Sequence, residues 1–497
     1  MKNLNNLLNV FATLLVVILL ADCKKSSVVL DSGTGSTTRK TTVIPDAGII
    51  NKFIYNGLKD YYLWVDKVPN LVAAKYSITD SLNYFLNTYT DHNKLFNDLL
   101  YPTLDKWSFI VDNSQTITNW IMGISETMGY DFMLSRIGTS DNLFGFVRYV
   151  YKGSPAEKAG MKRGDLFLAI NDMPLTVSNY QTLLFTYSTY KIAFASITNN
   201  YISSNGKTVT MTAVQMQENP ILVDTVLNVN NLKVGYLVYN GFNSDFDLQL
   251  NDVFGKFKSA GIDRLVLDLR YNGGGSVQTA VYLASMIYGT SKSQVFFKRQ
   301  YNTGLQDYFV GMDGVASLSQ GFTDSITTST PKAKINTLNL RKLYVITSDN
   351  TASASELLIN GLKPYMDIVN VGTNTAGKYV ASATIQDWDN NGVVNPNDPW
   401  AMQPIIVKMS NSLGVSDFVN GLVPDIKSTE DIANLMPFGD QGETMLNVVL
   451  NNLKGATLVT YKSKAAALGL NNVYDALAHK PFAKEMYVAP LLNYRKN

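Results

Sequence analysis

The sequence predicts an α+β multidomain fold with an N-terminal helical segment, a small β domain and a larger α/β domain built on βαβ crossovers. Three observations predict it. The 497 residues suggest two to four domains at roughly 150 residues each. The composition, 46% hydrophobic and 16% charged, supplies a sizeable core and excludes a disordered chain. The spacing of apolar residues changes along the chain from helical to alternating and then to buried runs.

Charge and residue counts exclude several classes of function. A net charge of +2 gives no electrostatic case for binding nucleic acid. The single cysteine, Cys23, excludes disulfides, cysteine nucleophiles and cysteine-based metal sites from the folded body. The two histidines, His92 and His479, cannot form a three-histidine metal site, and we expect both to be surface residues, with His92 in a loop. Hydrolytic chemistry here would largely do without histidine and would require no cofactor or metal.

Residues 1–23 are predicted to be a targeting segment. An apolar run of about 14 residues, from Leu7 to Leu20, is short for a membrane span and typical of a signal peptide. A short buried helix is the alternative, but it does not explain why the only cysteine follows directly. The segment resembles a bacterial lipoprotein signal, although Asp22 replaces the usual small residue. The resemblance implies lipidation at Cys23, a Ser/Thr/Gly-rich tether over 24–46, and a lipid-anchored body in the cell envelope that faces the periplasm.

Two domains follow the tether. Apolar residues at helical spacing predict a helical domain over 47–117. Short β-like runs at 144–151, 166–170 and 208–214 predict a β domain over 118–217. Between the first two runs, Gly153-Ser-Pro-Ala-Glu-Lys-Ala-Gly-Met-Lys-Arg-Gly-Asp165 predicts a short helix and resembles the signature of PDZ domains. The resemblance implies a groove for an extended peptide. The candidate carboxylate-binding loop is Gly129, Tyr130, Asp131 and Phe132, with an ordinary turn before a strand as the alternative.

Residues 218–440 are predicted to form an α/β domain. Buried strands are expected at 234–239, 265–269, 343–347 and 368–371, separated by helices at 247–258, 277–287 and 354–362. This alternation predicts a mainly parallel sheet. Residues 441–497 form a C-terminal extension of helical pieces and loops, to which the sequence assigns no function.

Three segments follow strands of this sheet, where ligands of open α/β sheets bind. Asp268-Leu-Arg-Tyr-Asn-Gly-Gly-Gly-Ser276 offers bare backbone N–H groups to a substrate carbonyl, or is a tight turn. Thr351-Ala-Ser-Ala-Ser-Glu356 fits either a capping box or a serine nucleophile at a helix N-terminus. Thr375-Ala-Gly-Lys378 follows the next strand, so Ser353 and Lys378 are expected at one edge of the sheet, although a lysine in a surface turn is the alternative.

In combination these segments, the PDZ-like string and Gly421-Leu-Val-Pro-Asp425 resemble the carboxyl-terminal processing (tail-specific) peptidases. The resemblance covers about residues 50–430. It implies a protease core of the Clp-protease/crotonase-like type and a Ser–Lys dyad. By position, Ser353 is the nucleophile and Lys378 the general base. The oxyanion donors would be the backbone N–H groups of Gly273 or Gly274 and of Ala354.

Two departures concern what orients Lys378. Some members carry Gln four residues after the lysine, where this chain has Ser382, and others carry an acidic residue eleven after the serine, where this chain has Pro364. Ser382 is therefore a candidate orienting group. A lysine normally titrates near 10.4 and is a poor base at neutral pH. We expect Lys378 to be buried, within hydrogen-bond reach of Ser353 Oγ and unpaired with any acid.

A second candidate site lies at 387–398. Asp387, Asp389, Asn391 and Asp398 fit positions 1, 3, 5 and 12 of a calcium loop, with Gly392 at position 6. The stretch resembles dockerin loops, in which Asp also stands at position 12. No convincing helices flank it, and a polar surface turn is the alternative. A structural Ca²⁺ here is a hypothesis.

The leading interpretation is a lipid-anchored serine endopeptidase that hydrolyses peptide bonds in extended or C-terminal protein segments presented by the PDZ-like domain. A catalytically silent peptide-binding scaffold lipoprotein of the same fold is the alternative, motivated by the missing third catalytic group. A calcium-dependent adhesion protein would rest on the 387–398 loop alone.

Overall fold

The computed structural model describes residues 44–72, 75–76, 78–327, 332–389, 392–456 and 463–491, and those from Pro45 onward form one unit. The predicted signal peptide, Cys23 and the tether up to residue 43 lie outside the described residues. Within the described ranges, none of the helices combines the length and the apolar character that a membrane crossing needs.

The N-terminal segment is helical, as predicted, because apolar residues at helical spacing such as Ile54 and Leu58 are buried on one face of the first helix. The prediction of a solvated loop position for His92 is wrong. Its Nδ1 lies 2.7 Å from Asn51 Oδ1, and its ring packs edge-on against Trp400. The elements are helices Ile49–Tyr61, Thr79–Leu86, His92–Asp98 and Ser114–Met122, the 3-10 turn Val65–Lys67 and strand Phe109–Val111.

The β domain follows in the predicted place. The Ser154 hydroxyl accepts the Glu157 N–H at 3.1 Å and so begins helix Pro155–Lys158, and Gly160 at φ +76° follows that helix. Strand Tyr201–Thr212 is longer than predicted. The other strands are Ile124–Thr127, Tyr130–Ile137, Phe144–Val150, Leu166–Ile170, Met173–Pro174, Thr189–Thr198 and Val214–Gln217, and the second helix is Tyr180–Phe185.

The α/β domain is built on a mainly parallel sheet, as predicted. Only its first pair of strands is antiparallel among the described pairings, and each later strand runs parallel to its neighbour. In spatial order the strands are Ile221–Val229, Leu232–Tyr239, Arg264–Asp268, Lys342–Thr347, Asp367–Gly372 and Ile426–Lys427.

Helices cover both faces of this sheet. Successive strand residues point to opposite faces, so the neighbours Tyr236 and Leu237 lie in different apolar clusters. The cluster around Leu237 includes residues of helices Asp247–Ala260, Val277–Ile287 and Ala354–Leu362. The cluster around Tyr236 includes residues of helix Thr444–Leu453, so part of the C-terminal extension belongs to the core of this domain.

A second sheet lies at the carboxyl end of the first. Strand Met486–Val488 of the extension lies between Gly275–Ser276, which follows the three glycines, and Val380–Ala383, which follows Lys378. Its remaining strands are Ile405–Asn411, Val295–Tyr301 and Ser319–Gly321. Other elements are helices Thr303–Asp313, Lys464–Ala467 and Ala476–His479, the 3-10 turns Ser244–Phe246, Val315–Leu318 and Ile432–Asn434, and strands Ser325–Ile326, Ala333–Lys334, Ile385–Gln386, Ala401–Gln403 and Leu470–Asp475.

Candidate active site

Ser353 lies at the N-terminus of helix Ala354–Leu362, after strand Lys342–Thr347. Its backbone is left-handed at φ +68° and ψ −116°, which costs a residue with a side chain about 1–3 kcal/mol. The side chain is fully buried, and its Oγ has no hydrogen-bond partner among the described residues. Ser353 and Glu356 stand in a capping-box arrangement, but the Ser353 hydroxyl makes no hydrogen bond of normal geometry there and is left for another use.

Glu356 performs the other half of the capping pattern and joins two segments of the site. Its carboxylate accepts the N–H of Ser353 at 2.7 Å, and also accepts from Thr375 Oγ1 at 2.5 Å, Gly377 N at 2.7 Å and Lys378 N at 2.8 Å. Burial raises the pKa of Glu356, and these hydrogen bonds oppose the rise. The carboxylate therefore fixes the backbone of the serine turn to that of the lysine loop, a role that the sequence did not reveal.

Lys378 follows strand Asp367–Gly372, the parallel neighbour of the strand before Ser353, so the structure brings both residues to one edge of the sheet. Its side chain is fully buried, as expected, and Nζ lies 5.0 Å from the centre of the Trp107 ring. The expectation that it is unpaired is wrong, because Nζ lies 2.5 Å from Glu485 Oε2. Burial lowers the pKa of Lys378, and Glu485 opposes that shift.

The expected hydrogen bond between Lys378 and Ser353 is absent from the described contacts, because the lysine is turned to Glu485. Burial raises the pKa of Glu485 to about 6, against the attraction of Lys378. Ser382, the candidate orienting group, contacts Glu485 and not the lysine: its Oγ lies 3.3 Å from Glu485 Oε2 and accepts from Gln403 Nε2 at 3.1 Å. Glu485 was not identified from the sequence, where the only indication of a role is the short strand-like run that begins at the next residue.

Two of the candidate oxyanion donors, Gly274 and Ala354, lie beside Ser353. A Cβ placed on Gly274, which has φ +116°, would lie 2.7 Å from Ser353 Cβ and 3.1 Å from Ala354 N, so only glycine fits there. The Gly274 N–H donates to Asn272 Oδ1 at 2.9 Å and is therefore engaged. Within the described part of the chain, the N–H groups of Gly273 and Ala354 have no acceptor, which leaves this pair for a developing negative charge.

A buried ion network ties the β domain to the segment that carries the glycines. Arg270 donates to Glu443 at 2.7 Å and to Glu430 at 2.9 Å, and Arg163 of the β domain donates to Glu430 at 2.6 Å. Burial alone would raise the pKa of Glu430, but Arg163 and Arg270 lower it to about 2. The two domains therefore share charges that are costly to separate.

The predicted carboxylate-binding loop is mostly strand. Tyr130, Asp131 and Phe132 begin strand Tyr130–Ile137, which matches the alternative of a turn before a strand, and only Gly129, at φ +81°, precedes it. Burial raises the pKa of Asp131 to about 6, although Arg148 Nε donates to its carboxylate at 2.5 Å.

In the described part of the 387–398 loop, acidic side chains accept hydrogen bonds from neighbouring residues. The carboxylate of Asp387 accepts from Asn395 Nδ2 at 2.7 Å, and that of Asp389 accepts from Val393 N at 2.9 Å. Among the described residues, no three acidic, histidine or cysteine side chains form a group that could hold a metal ion. Asn391 lies outside the described residues, and the calcium hypothesis stays a prediction.

Comparisons with known families divide the chain in the same way as the fold. The model of the Peptidase S41 N-terminal domain matches residues 49–109, that of the PDZ domain matches 146–184, and that of Peptidase family S41 matches 233–427. The last range contains the glycine, serine and lysine segments.

Individual relatives agree with these matches. The chloroplastic C-terminal processing peptidase of Tetradesmus obliquus is 25% identical over 292 residues, 56% of each chain. A protein described as a CtpA-like serine protease of Staphylococcus aureus is 26% identical over 241 residues, 47% of this chain and 41% of its own. The chain thus spans about half the length of the curated relatives it matches.

A solved structure extends the likeness to nearly the whole fold. The crystal structure of a protein described as an S41 protease, from Bacteroides fragilis NCTC 9343, is 26% identical with a TM-score of 0.66, and the match covers 84% of this chain and 99% of that one. Helices, β domain and α/β core occur here in the order of the matched domains. The chain therefore combines regions that match an S41 N-terminal domain, a PDZ domain and a Peptidase family S41 core, and it is similar to C-terminal processing peptidases.

Proposed function

We propose that the protein is a serine endopeptidase in which Ser353 is the nucleophile and Lys378 the general base, acting on protein segments presented by the PDZ domain. The observation that carries the proposal is the state of Ser353. It combines a strained backbone with a buried hydroxyl that has no hydrogen-bond partner among the described residues, and the adjoining Ala354 N–H has no acceptor there. Strain of this kind persists where the surroundings impose it, and it clusters at functional sites.

The chemistry requires a neutral lysine. Lys378 Nζ takes the proton of the Ser353 hydroxyl while Oγ attacks the carbonyl carbon of the scissile peptide bond. The N–H groups of Gly273 and Ala354 stabilise the oxyanion. The protonated lysine then gives its proton to the leaving amine, and an acyl-enzyme forms. Water, activated by the same lysine, hydrolyses the ester and regenerates the serine.

Burial supports this role for Lys378, because a low-polarity environment favours the neutral amine. The ion pair with Glu485 opposes it, since a carboxylate at 2.5 Å favours the ammonium. In the proposed active arrangement the Lys378 side chain has left Glu485 and reaches Ser353 Oγ.

The ion pair also favours a second candidate, a catalytically silent peptide-binding protein of the same fold. In that case Lys378 and Glu485 serve structure alone, and the PDZ domain carries the function. The retained strain at Ser353 argues against this alternative, because a silent protein gains nothing from it.

A hydrolysis assay separates the two candidates. The full chain is incubated with an unfolded protein beside Ser353→Ala, Lys378→Ala and the control Lys363→Ala, which removes an exposed lysine after the same helix. The peptidase proposal expects cleavage by the wild type and by Lys363→Ala only. Equal cleavage by all four proteins would contradict the dyad, and cleavage by none together with peptide binding would favour the silent protein.

We further propose that Cys23 is lipidated and holds the body at the bacterial envelope, outside the cytoplasm. The support is the sequence of residues 1–23 alone. Cys23→Ser should move the protein from the membrane fraction to the soluble fraction of the envelope, and an unchanged distribution would refute the anchor.

A further inference from the structure

The C-terminal residues 463–491, here called the tail, contact the PDZ domain and the candidate active site. Strand Leu470–Asp475 of the tail pairs antiparallel with Tyr130–Ile137, from Leu470 opposite Ile137 to Asp475 opposite Met133. It forms the outer strand of that sheet. Extended peptides bind exposed sheet edges in this way. The tail thus occupies, in cis, the edge that the PDZ domain would offer to a substrate.

Tyr474 of the tail lies in the groove between strand Tyr130–Ile137 and helix Tyr180–Phe185, here called the peptide groove. The Tyr474 ring lies 5.9 Å from Phe132, 5.7 Å from Tyr180 and 5.3 Å from Phe185, measured between ring centres. These contacts come from both the strand and the helix. The groove therefore holds an aromatic side chain between its two walls.

Asp475, the next residue of the tail, is held by an ion pair and a hydrogen bond. The Asp475 carboxylate accepts from Arg148 at 2.5 Å and from Asn350 Nδ2 at 3.4 Å. Arg148 is fully buried and belongs to the PDZ domain, whereas Asn350 lies three residues before Ser353. An acidic side chain at this position therefore touches the PDZ domain and the serine turn together.

Further along, the tail enters the space above the candidate dyad. Met486 pairs in parallel with Gly275, and Tyr487 with Ser382, so the strand fills the gap between the glycine and lysine segments. A Cβ on Gly274 would lie 2.7 Å from both Ser353 Cβ and the Glu485 carbonyl oxygen, so those two atoms are at most twice that distance apart. A main-chain carbonyl of the tail thus lies beside the candidate nucleophile.

We propose that the tail is an intramolecular pseudosubstrate that fills the peptide groove and the active-site cleft together, and that protein substrates displace it with an extended segment in which an acidic residue follows an aromatic one. The inference rests on the proposed function. Its support is that one segment pairs with the edge of the PDZ sheet, lies between the glycine and lysine strands of the second sheet and places Glu485 against Lys378. Ser353 and Lys378 are fully buried.

The tail competes with an external peptide for the peptide groove, and its covalent attachment sets how strongly it competes. A segment joined by a short connection has an effective concentration on the order of millimolar. An external peptide of equal intrinsic affinity would therefore bind the wild type only near millimolar concentration. Weakening the tail without touching the groove should lower the apparent Kd of that peptide by about tenfold or more.

Binding is measured in full-length Ser353→Ala, so that the result does not depend on hydrolysis. The probe is a fluorescein-labelled peptide with the sequence of residues 470–476, followed by fluorescence anisotropy. Tyr474→Ala and the milder Asp475→Asn weaken the tail. Tyr201→Ala removes a tyrosine of the same domain that is 76% exposed and serves as the control.

The proposal expects an apparent Kd at least tenfold lower for Tyr474→Ala and Asp475→Asn than for Ser353→Ala alone or with Tyr201→Ala. A probe peptide with Ala in place of its tyrosine should bind none of them. Equal binding to all four proteins, or no binding up to millimolar peptide, would overturn the proposal. Failure of hydrolysis in the earlier assay would leave this binding result intact, so the two inferences can fail separately.

Discussion

Replacing Glu485 by Gln tests whether the carboxylate restrains the lysine or assists it. The substitution removes the charge that contacts Lys378 Nζ at 2.5 Å and keeps the shape of the side chain. A hydrogen bond to a charged group contributes about 1.5–3 kcal/mol, and one pKa unit corresponds to about 1.4 kcal/mol. Glu485→Gln should therefore lower the pKa of Lys378, the direction in which burial already drives it, and raise the neutral fraction of the amine about 10- to 100-fold.

The assay is the rate of peptide hydrolysis as a function of pH. The base works as the neutral amine, so activity rises with pH through the pKa of Lys378. In Glu485→Gln this rise should move toward lower pH, and the rate at neutral pH should increase about 10- to 100-fold. Glu126→Gln, which alters an exposed glutamate of the PDZ domain, should leave the profile unchanged.

The pH dependence of stability gives a second measure. Burial raises the pKa of Glu485 from 4.5 to about 6, so this carboxyl binds more protons in the folded than in the unfolded protein between those values. The free energy of unfolding of the wild type should therefore fall as pH rises from about 4.5 to about 6, and Glu485→Gln should lack that fall. Lost activity with an unmoved pH profile would refute the reasoning and make Glu485 a positioning residue of the dyad.

Three further predictions follow from other contacts. Gly274→Ala should abolish hydrolysis and lower the free energy of unfolding by about 1–3 kcal/mol, measured by urea unfolding, because its Cβ would lie 2.7 Å from Ser353 Cβ at a strained φ. Burial raises the pKa of Asp247 from 3.8 to about 7, so wild-type stability should fall between pH 4 and pH 7, by up to about 4 kcal/mol. Asp247→Asn should lack that fall and be the more stable protein at pH 8; parallel pH curves would contradict this. The calcium hypothesis for 387–398 expects a higher Tm in excess Ca²⁺ than in chelator, and identical temperatures refute it.

Local patterns predicted the elements of the site well. Helices Val277–Ile287 and Ala354–Leu362 have the predicted bounds, because small or capping residues mark their starts and apolar periodicity marks their lengths. The pairing of the two strands that precede Ser353 and Lys378 followed from the crossover rule. The serine and lysine segments therefore lie at one sheet edge, as the alternating pattern predicts.

Long-range partners were the part that the sequence could not predict. Glu485 reaches Lys378 across 107 positions of sequence, and Asp475 reaches Arg148 across 327. Such contacts depend on the path of the C-terminal extension, which has no periodic pattern of its own. The capping pattern was half informative: Glu356 caps the Ser353 N–H, whereas the Ser353 hydroxyl does not cap.

The four hydrogen bonds of Glu356 set a limit on how this site can be switched. One buried carboxylate accepts hydrogen bonds from the main chain at both Ser353 and Lys378, so it fixes the positions of the two residues relative to each other. Separating them would break these hydrogen bonds and leave a charged acceptor buried without donors. Control of the site can therefore leave this arrangement in place and act through the lysine side chain and the C-terminal segment that contacts it. Engineers who wish to rewire the control can exchange the C-terminal segment and keep the scaffold beneath it.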